Sequence, residues 1–210
     1  MRRAHAQVVF GASSVLLSYP DEATFAGDLA AVAGALGRLP RGEARGALEA
    51  ARGWLAGMGP MQAATVYVET FDLRRRRSLY LTYYRHGDTR ERGLALVALV
   101  DVYRRAGMTL AGGELPDFLP ALLELAAVSV EGQSALAGQR PALGSLREAL
   151  EEAGSPWARV VGAVTGALGG LARVDRVAIR RYRADGPPTE AVGLEPFAPP
   201  EVIAQGLTKR

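Results

Sequence analysis

Apolar residues return every three or four positions through most of this chain, and no sustained period-two alternation with β-branched enrichment replaces that rhythm. A period near 3.6 places such residues on one face of a helix, whereas a half-buried strand needs a period of two. The first 170 residues therefore read as all-α. Proline and glycine interrupt the rhythm at Pro20, Gly37, Pro40, the Gly59-Pro60 pair, Gly87 and Gly107. A first helix is predicted over residues 5–18, with Val8, Ala12, Val15, Leu16 and Tyr19 on one face. Asp21 caps a second, which carries Phe25, Leu29, Val32 and Leu36. A third follows Pro40 with Leu48, Ala51, Trp54, Leu55 and Met58.

Pro60 opens a fourth helix with Ala64, Tyr67 and Phe71 on one stripe. At 100° per residue an unbroken continuation would turn Tyr80, Tyr83 and Tyr84 away from that stripe, so a break or register change is expected near Asp72. A helical segment over 74–85 is expected next, closed by Gly87 as a left-handed cap. Asp88, with Glu91 three residues on, has the spacing of a capping box for a helix over 89–106, lined by Leu94, Val97, Ala98 and residues 100–103. Glu114-Leu115-Pro116-Asp117 reads as a helix start, because proline suits a first turn and carboxylates there complement the helix dipole. That helix holds Phe118, Leu122, Leu125 and Ala126, with Pro120 in its first turn. Two more are predicted, over 141–153 and from Ser155-Pro156-Trp157 onward.

Beyond Leu171 the pattern changes to Arg173, Arg176, Arg180, Arg181 and Arg183, followed by Pro187, Pro188, Pro196, Pro199 and Pro200. The expected organisation is one all-helical bundle domain over 1–171 and a loosely packed or disordered C-terminal tail over 172–210.

The chain has no cysteine, and His5 and His86 are its only histidines. Thiolate metal sites, disulfides and cysteine nucleophiles are thereby excluded. No phosphate-cradling glycine loop, nucleophile elbow, HExxH or EF-hand pattern is present, so the reading is a non-enzyme with no metal site and no stably bound cofactor. The uncharged run 160–172 has 13 residues, five of them glycine or threonine, against about 20 apolar residues for a membrane span. With no secretory signal read at the amino end, a cytoplasmic protein without direct membrane insertion is expected. The net charge is only +3, and without residues 74–77 its sign would reverse. The basic character is local, which does not imply a nucleic-acid footprint over the whole surface.

Polar commitments concentrate in residues 67–93, YVETFDLRRRRSLYLTYYRHGDTRERG, which hold five of the twelve Phe and Tyr residues. If helical, Arg74, Arg75, Arg76 and Arg77 would cover about 300° of circumference and could not share one solvated face. Structural ion pairing of these arginines, and a solvated face, stand as equal readings; Glu69, Asp72, Asp88, Glu114 and Asp117 are the candidate partners. His86 has no serine, metal or paired carboxylate at a catalytic spacing, which leaves a capping or peptide-contact role. Tyrosines beside charged groups suit a peptide-binding groove, although half-buried aromatics are the commoner case.

This block, followed about twenty residues on by ELPDFLPALLELAA, resembles the NarJ family of nitrate reductase molybdenum cofactor assembly chaperones, also called delta subunits, within the redox-enzyme maturation chaperones. The resemblance runs from about Val8 to Leu125. It implies an all-helical, cytoplasmic, non-catalytic protein that binds the apo catalytic (alpha) subunit of respiratory nitrate reductase through its N-terminal peptide. Such a protein assists molybdenum cofactor insertion, delays membrane docking and then leaves. By motif, the acidic-proline signature falls on Glu114, Pro116 and Asp117, and the family block on Tyr67, Phe71, Asp72, Tyr80, Gly87, Asp88, Arg90 and Gly93. The client-binding set expected is Tyr67, Phe71, Asp72, Tyr80, His86, Asp88, Glu114, Pro116 and Asp117, with Arg90 joining residues 74–77 as ion-pair candidates. A same-fold chaperone for another molybdoenzyme, or a helical regulator binding nucleic acid through residues 74–77, remain alternative readings.

Overall fold

A computed structural model describes residues 3–110 and 112–188. Its described residues form eleven α-helices and no strand: α1 (Arg3–Leu17), α2 (Phe25–Leu36), α3 (Glu43–Ala56), α4 (Pro60–Tyr67), α5 (Leu81–His86), α6 (Arg90–Arg105), α7 (Leu119–Val128), α8 (Val130–Gly138), α9 (Arg140–Glu152), α10 (Trp157–Ala167) and α11 (Arg173–Asp185). The all-α class read from the periodicity is the one observed.

Helix α1 is the hub, packed against α7, α10, α2 and α3. Small residues allow this. A Cβ on Gly11 would lie 3.8 Å from Ala127 Cβ, and the buried Ser14 hydroxyl donates to the Pro120 carbonyl at 2.8 Å, satisfying a polar group that would otherwise be costly to bury. The buried residues of α1 include Val9, Phe10, Leu16 and Leu17, with Val8 and Val15 at the margin. The single-stripe expectation was too narrow because α1 has neighbours on several sides. Leu122 and Leu125 of α7 and Val160, Val161 and Val164 of α10 complete the centre, all fully buried. Each such side chain contributes about 1.5–3 kcal/mol of transfer free energy.

The bounds of α2, α3, α9 and α10 follow the proline and glycine punctuation closely. Helix α8 was not anticipated; Ser129 caps it by accepting from the Gly132 amide at 2.8 Å, with α7 ending one residue earlier. A Cβ on Gly132 would come within 2.6 Å of the Leu125 backbone, so glycine is what lets α8 fold back on α7.

Three expectations need correction. Only residues 81–85 of the predicted 74–85 helix are α-helical, since Arg75–Arg77 form a 3₁₀ turn and residues 78–80 are non-helical, with Tyr80 extended. The N-cap of α6 is Thr89, and Asp88 makes no capping box. In α6, Leu99 and Tyr103 are buried while Leu94 is 74% exposed and Val97 is also exposed, because α6 packs mainly on α5 and α8.

The arginine-rich start of the expected tail also differs. Residues 173–185 form α11, which lies on α9 with Ile179 buried. A Cβ on Gly144 would sit 2.3 Å from Ile179 Cδ1, so α9 offers a glycine notch to that side chain. Pro196, Pro199 and Pro200 lie outside the described residues.

Candidate functional site

The predicted break near Asp72 is a π turn over Val68–Asp72, in which the Leu73 amide donates to the Val68 carbonyl at 3.2 Å. Such a wide turn inserts a residue and re-aims the chain beyond it. Tyr67 and Phe71 are both buried here, ring centroids 4.9 Å apart. The Tyr67 hydroxyl donates to the Leu17 carbonyl at 3.2 Å, and Tyr19 meets the Tyr67 ring edge-on at 5.5 Å. Behind them Phe71 leans on Trp157, at 4.9 Å, whose indole N–H donates to the Leu16 carbonyl at 2.7 Å.

The two motif blocks are stitched together by backbone. Tyr80 and Phe118 form an isolated antiparallel bridge: the Leu81 amide donates to the Asp117 carbonyl at 3.0 Å and the Leu119 amide to the Leu79 carbonyl at 2.8 Å. Their rings lie 5.4 Å apart. Beneath the bridge Asp117 is 0% exposed. Its Oδ2 accepts from the Thr82 amide at 3.1 Å and from the Thr82 hydroxyl, and lies 3.6 Å from Arg92 Nη2. Arg92 spans the site: it also reaches Asp88 at 3.4 Å, and its guanidinium carbon is 6.0 Å from the Tyr80 ring centre and 5.8 Å from that of Tyr83, within cation–π range.

These elements enclose a groove of about 470 Å³. Tyr19, Tyr67, Phe71, Tyr80, Tyr83 and Phe118 make its aromatic walls, Leu79 and Ser78 part of its lining, and Asp72, Asp88, Arg75 and Arg92 its charges. Glu114 sits beside it, its Oε1 accepting from the Tyr80 hydroxyl at 3.1 Å and from the Leu115 amide at 2.8 Å. Partial burial, then the Glu114 carboxylate, pushes the Tyr80 phenol up to about 12. Burial, aided by Asp72, raises that of Tyr67 further. Both stay protonated at neutral pH, so they serve as hydrogen-bonding aromatic surfaces.

Of the expected binding set, Tyr67, Phe71, Asp72, Tyr80 and Asp88 line one groove, and Glu114 adjoins it through Tyr80. Pro116 and Asp117, expected in the same set, are buried beneath and do not line it. His86 ends α5 outside the groove lining, its Nδ1 3.4 Å from Glu91. Among the arginines, Arg76 reaches Glu152 at 3.5 Å, a partner outside the candidates named from sequence, and Arg75 lines the groove. Arg90 opens α6, and it is Arg92, two residues on, that meets the buried carboxylate. Tyr19, Arg92 and Phe118 were missed as lining. The Asp88-to-Arg92 spacing of four on a helix start was the available signal for Arg92.

The family described as nitrate reductase delta subunit matches residues 41–161, which hold both stitched blocks. This chain belongs to the nitrate reductase delta subunit family. It is 42% identical over 159 residues to the nitrate reductase-like protein NarX of Mycobacterium tuberculosis, covering 75% of this chain and 24% of that protein. It is 34% identical over 129 residues to the probable nitrate reductase molybdenum cofactor assembly chaperone NarJ of Bacillus subtilis (61% of this chain, 70% of that one). The likeness to the NarJ chaperone of Escherichia coli K12 is 39% over 113 residues (53% and 48%). The chain thus spans about a quarter of the NarX-like protein and half of E. coli NarJ. Within the family-matched region fall the π turn, the Tyr80–Phe118 bridge and the Arg92–Asp117 pair; Tyr19 and α11 lie outside it. Among the described residues no cluster of His, Asp and Glu could hold a metal, and no helix is long and apolar enough to cross a membrane.

Proposed function

We propose that this protein is a cytoplasmic assembly chaperone for respiratory nitrate reductase. It binds the N-terminal segment of the apo catalytic (alpha) subunit in the groove and holds that subunit for molybdenum cofactor insertion. It delays membrane docking meanwhile and is absent from the finished enzyme. The observation that carries this reading is the groove itself: aromatic walls from three chain segments, with the Asp72 and Asp88 carboxylates exposed among them. Aromatic rings offer area at low entropic cost, and a carboxylate pairs with the positive α-amino group or basic side chains of a chain start. An amphipathic helical segment fits such a groove by its apolar face. Membership in the delta subunit family supports nitrate reductase as the client.

Calorimetric titration with a synthetic peptide of the alpha subunit's N-terminal segment tests the reading. Saturable one-to-one binding, weakened by Tyr80→Ala and Asp72→Asn, is expected. Binding only to the corresponding peptide of a different molybdoenzyme would reassign the client; binding to neither would end the proposal.

A further inference from the structure

A second cavity of about 220 Å³ lies beside the groove, between α5, α9, α11 and the segment 186–188. Arg75, Tyr83 and Asp88 line both spaces, so these side chains are the wall between them. The remaining lining sets apolar surface from Tyr84, Tyr182, Pro187 and Pro188 beside the charged groups of Arg76, Glu148 and Arg183. Ser145 Oγ, on α9 in the same lining, is buried and has no hydrogen-bond partner among the described residues. The cover is fitted closely. Gly87 has φ +54°, and a Cβ there would lie 1.7 Å from the Pro188 carbonyl oxygen, so only glycine lets residues 186–188 seat against the end of α5.

We propose that this cavity is a second subsite of the client groove, taking one large apolar or aromatic side chain of the same segment whose neighbouring residues occupy the first. The inference rests on the client-binding reading above. Continuity selects the occupant, since a chain in the groove passes Tyr83 and Asp88 directly. The lining selects its chemistry: tyrosine and proline faces suit a ring or a branched aliphatic group, and the unpartnered Ser145 hydroxyl can meet one polar atom of a Tyr or Trp.

The test uses the full chain and the alpha-subunit N-terminal peptide, with a benzophenone amino acid placed at each apolar peptide position in turn. Photocrosslinks mapped by mass spectrometry should run from one position to Tyr182 or the 187–188 prolines, and from another to Tyr67 or Phe118. In parallel, Ser145→Leu, which fills the cavity from α9, should weaken the unmodified peptide by about tenfold or more. Should that variant not fold, the crosslinks on the unaltered chain decide alone. Crosslinks confined to the groove walls, with unchanged affinity in a folded Ser145→Leu, would overturn the second subsite and leave the proposed function standing. Absence of saturable peptide binding would remove both.

Discussion

Replacing Asp117 by alanine tests whether this signature carboxylate acts from beneath the groove or within it. The side chain is fully buried, its Oδ2 serves both donors of Thr82, and Arg92 is its ion-pair partner at 3.6 Å. Removal strands the Thr82 amide and hydroxyl, each worth about 1–3 kcal/mol when buried without a partner. It also leaves a guanidinium facing an empty site, and breaking a buried pair costs about 3–5 kcal/mol. Arg92 is 18% exposed and keeps Asp88, so it can turn partly to water, which places the total near the lower bound, about 3 kcal/mol. For a chain of this size that corresponds to a fall of about 6–12 °C in Tm. Asp117→Asn, which still offers an acceptor to Thr82, should lose only about 1–2 kcal/mol. Thermal and urea unfolding of both variants gives these numbers, and calorimetric titration of the folded fraction should find peptide affinity retained. An unmoved midpoint with collapsed affinity would refute the reasoning, because it would mean the carboxylate faces the client.

Tyr80→Ala should weaken peptide binding by about 1 kcal/mol or more with little change in Tm, since its ring lines the groove and is only partly buried; titration beside an unfolding curve checks it. Raised phenol values imply that stability from neutral Tyr80 is complete below its ordinary value near 10 and is lost as pH climbs toward about 12. Tyrosinate absorbance should therefore show Tyr67 and Tyr84, both shifted upward by burial, ionising only as the alkaline chain unfolds; their titration near pH 10 with the fold intact would contradict the burial. Ile179→Ala should cost about 2–5 kcal/mol in urea unfolding, because it empties the Gly144 notch; a loss below about 0.5 kcal/mol would return α11 to the status of a loosely attached tail.

Helix positions were legible wherever local chemistry decides them. Gly37 ends α2, Gly59-Pro60 separates α3 from α4, and Pro141 sits in the first turn of α9. Helix α8 was hidden because Val128 and Val130 flank its Ser129 cap with no proline or glycine to mark a break. The arginine run was misread as α-helix because its true constraint is tertiary: the bridge between Tyr80 and Phe118 holds the adjoining strand-like residues extended. The aromatic and charged residues of the two motif blocks stood out by type and pattern, but type alone cannot separate a carboxylate that faces outward from one that holds two segments together. Asp88 and Asp117 carry the same group, and their exposure alone assigns Asp88 to the lining and Asp117 to the support. Ile179 was lost in a charged sequence because the partner that buries it is an absent side chain, at Gly144, on another helix.

The aromatic chain behind the groove has an optical consequence. The protein has two tryptophans, and they touch, Trp54 meeting Trp157 edge-on at 4.8 Å. Trp157 in turn contacts Phe71 and Tyr67, which form part of the groove wall. Intrinsic fluorescence therefore comes from a single spot, one ring-width behind the place where a ligand would rest, with tyrosines on the wall itself as energy donors. The protein carries its own emitter at the site, so occupancy can be followed without a label by emission wavelength and tyrosine-to-tryptophan transfer.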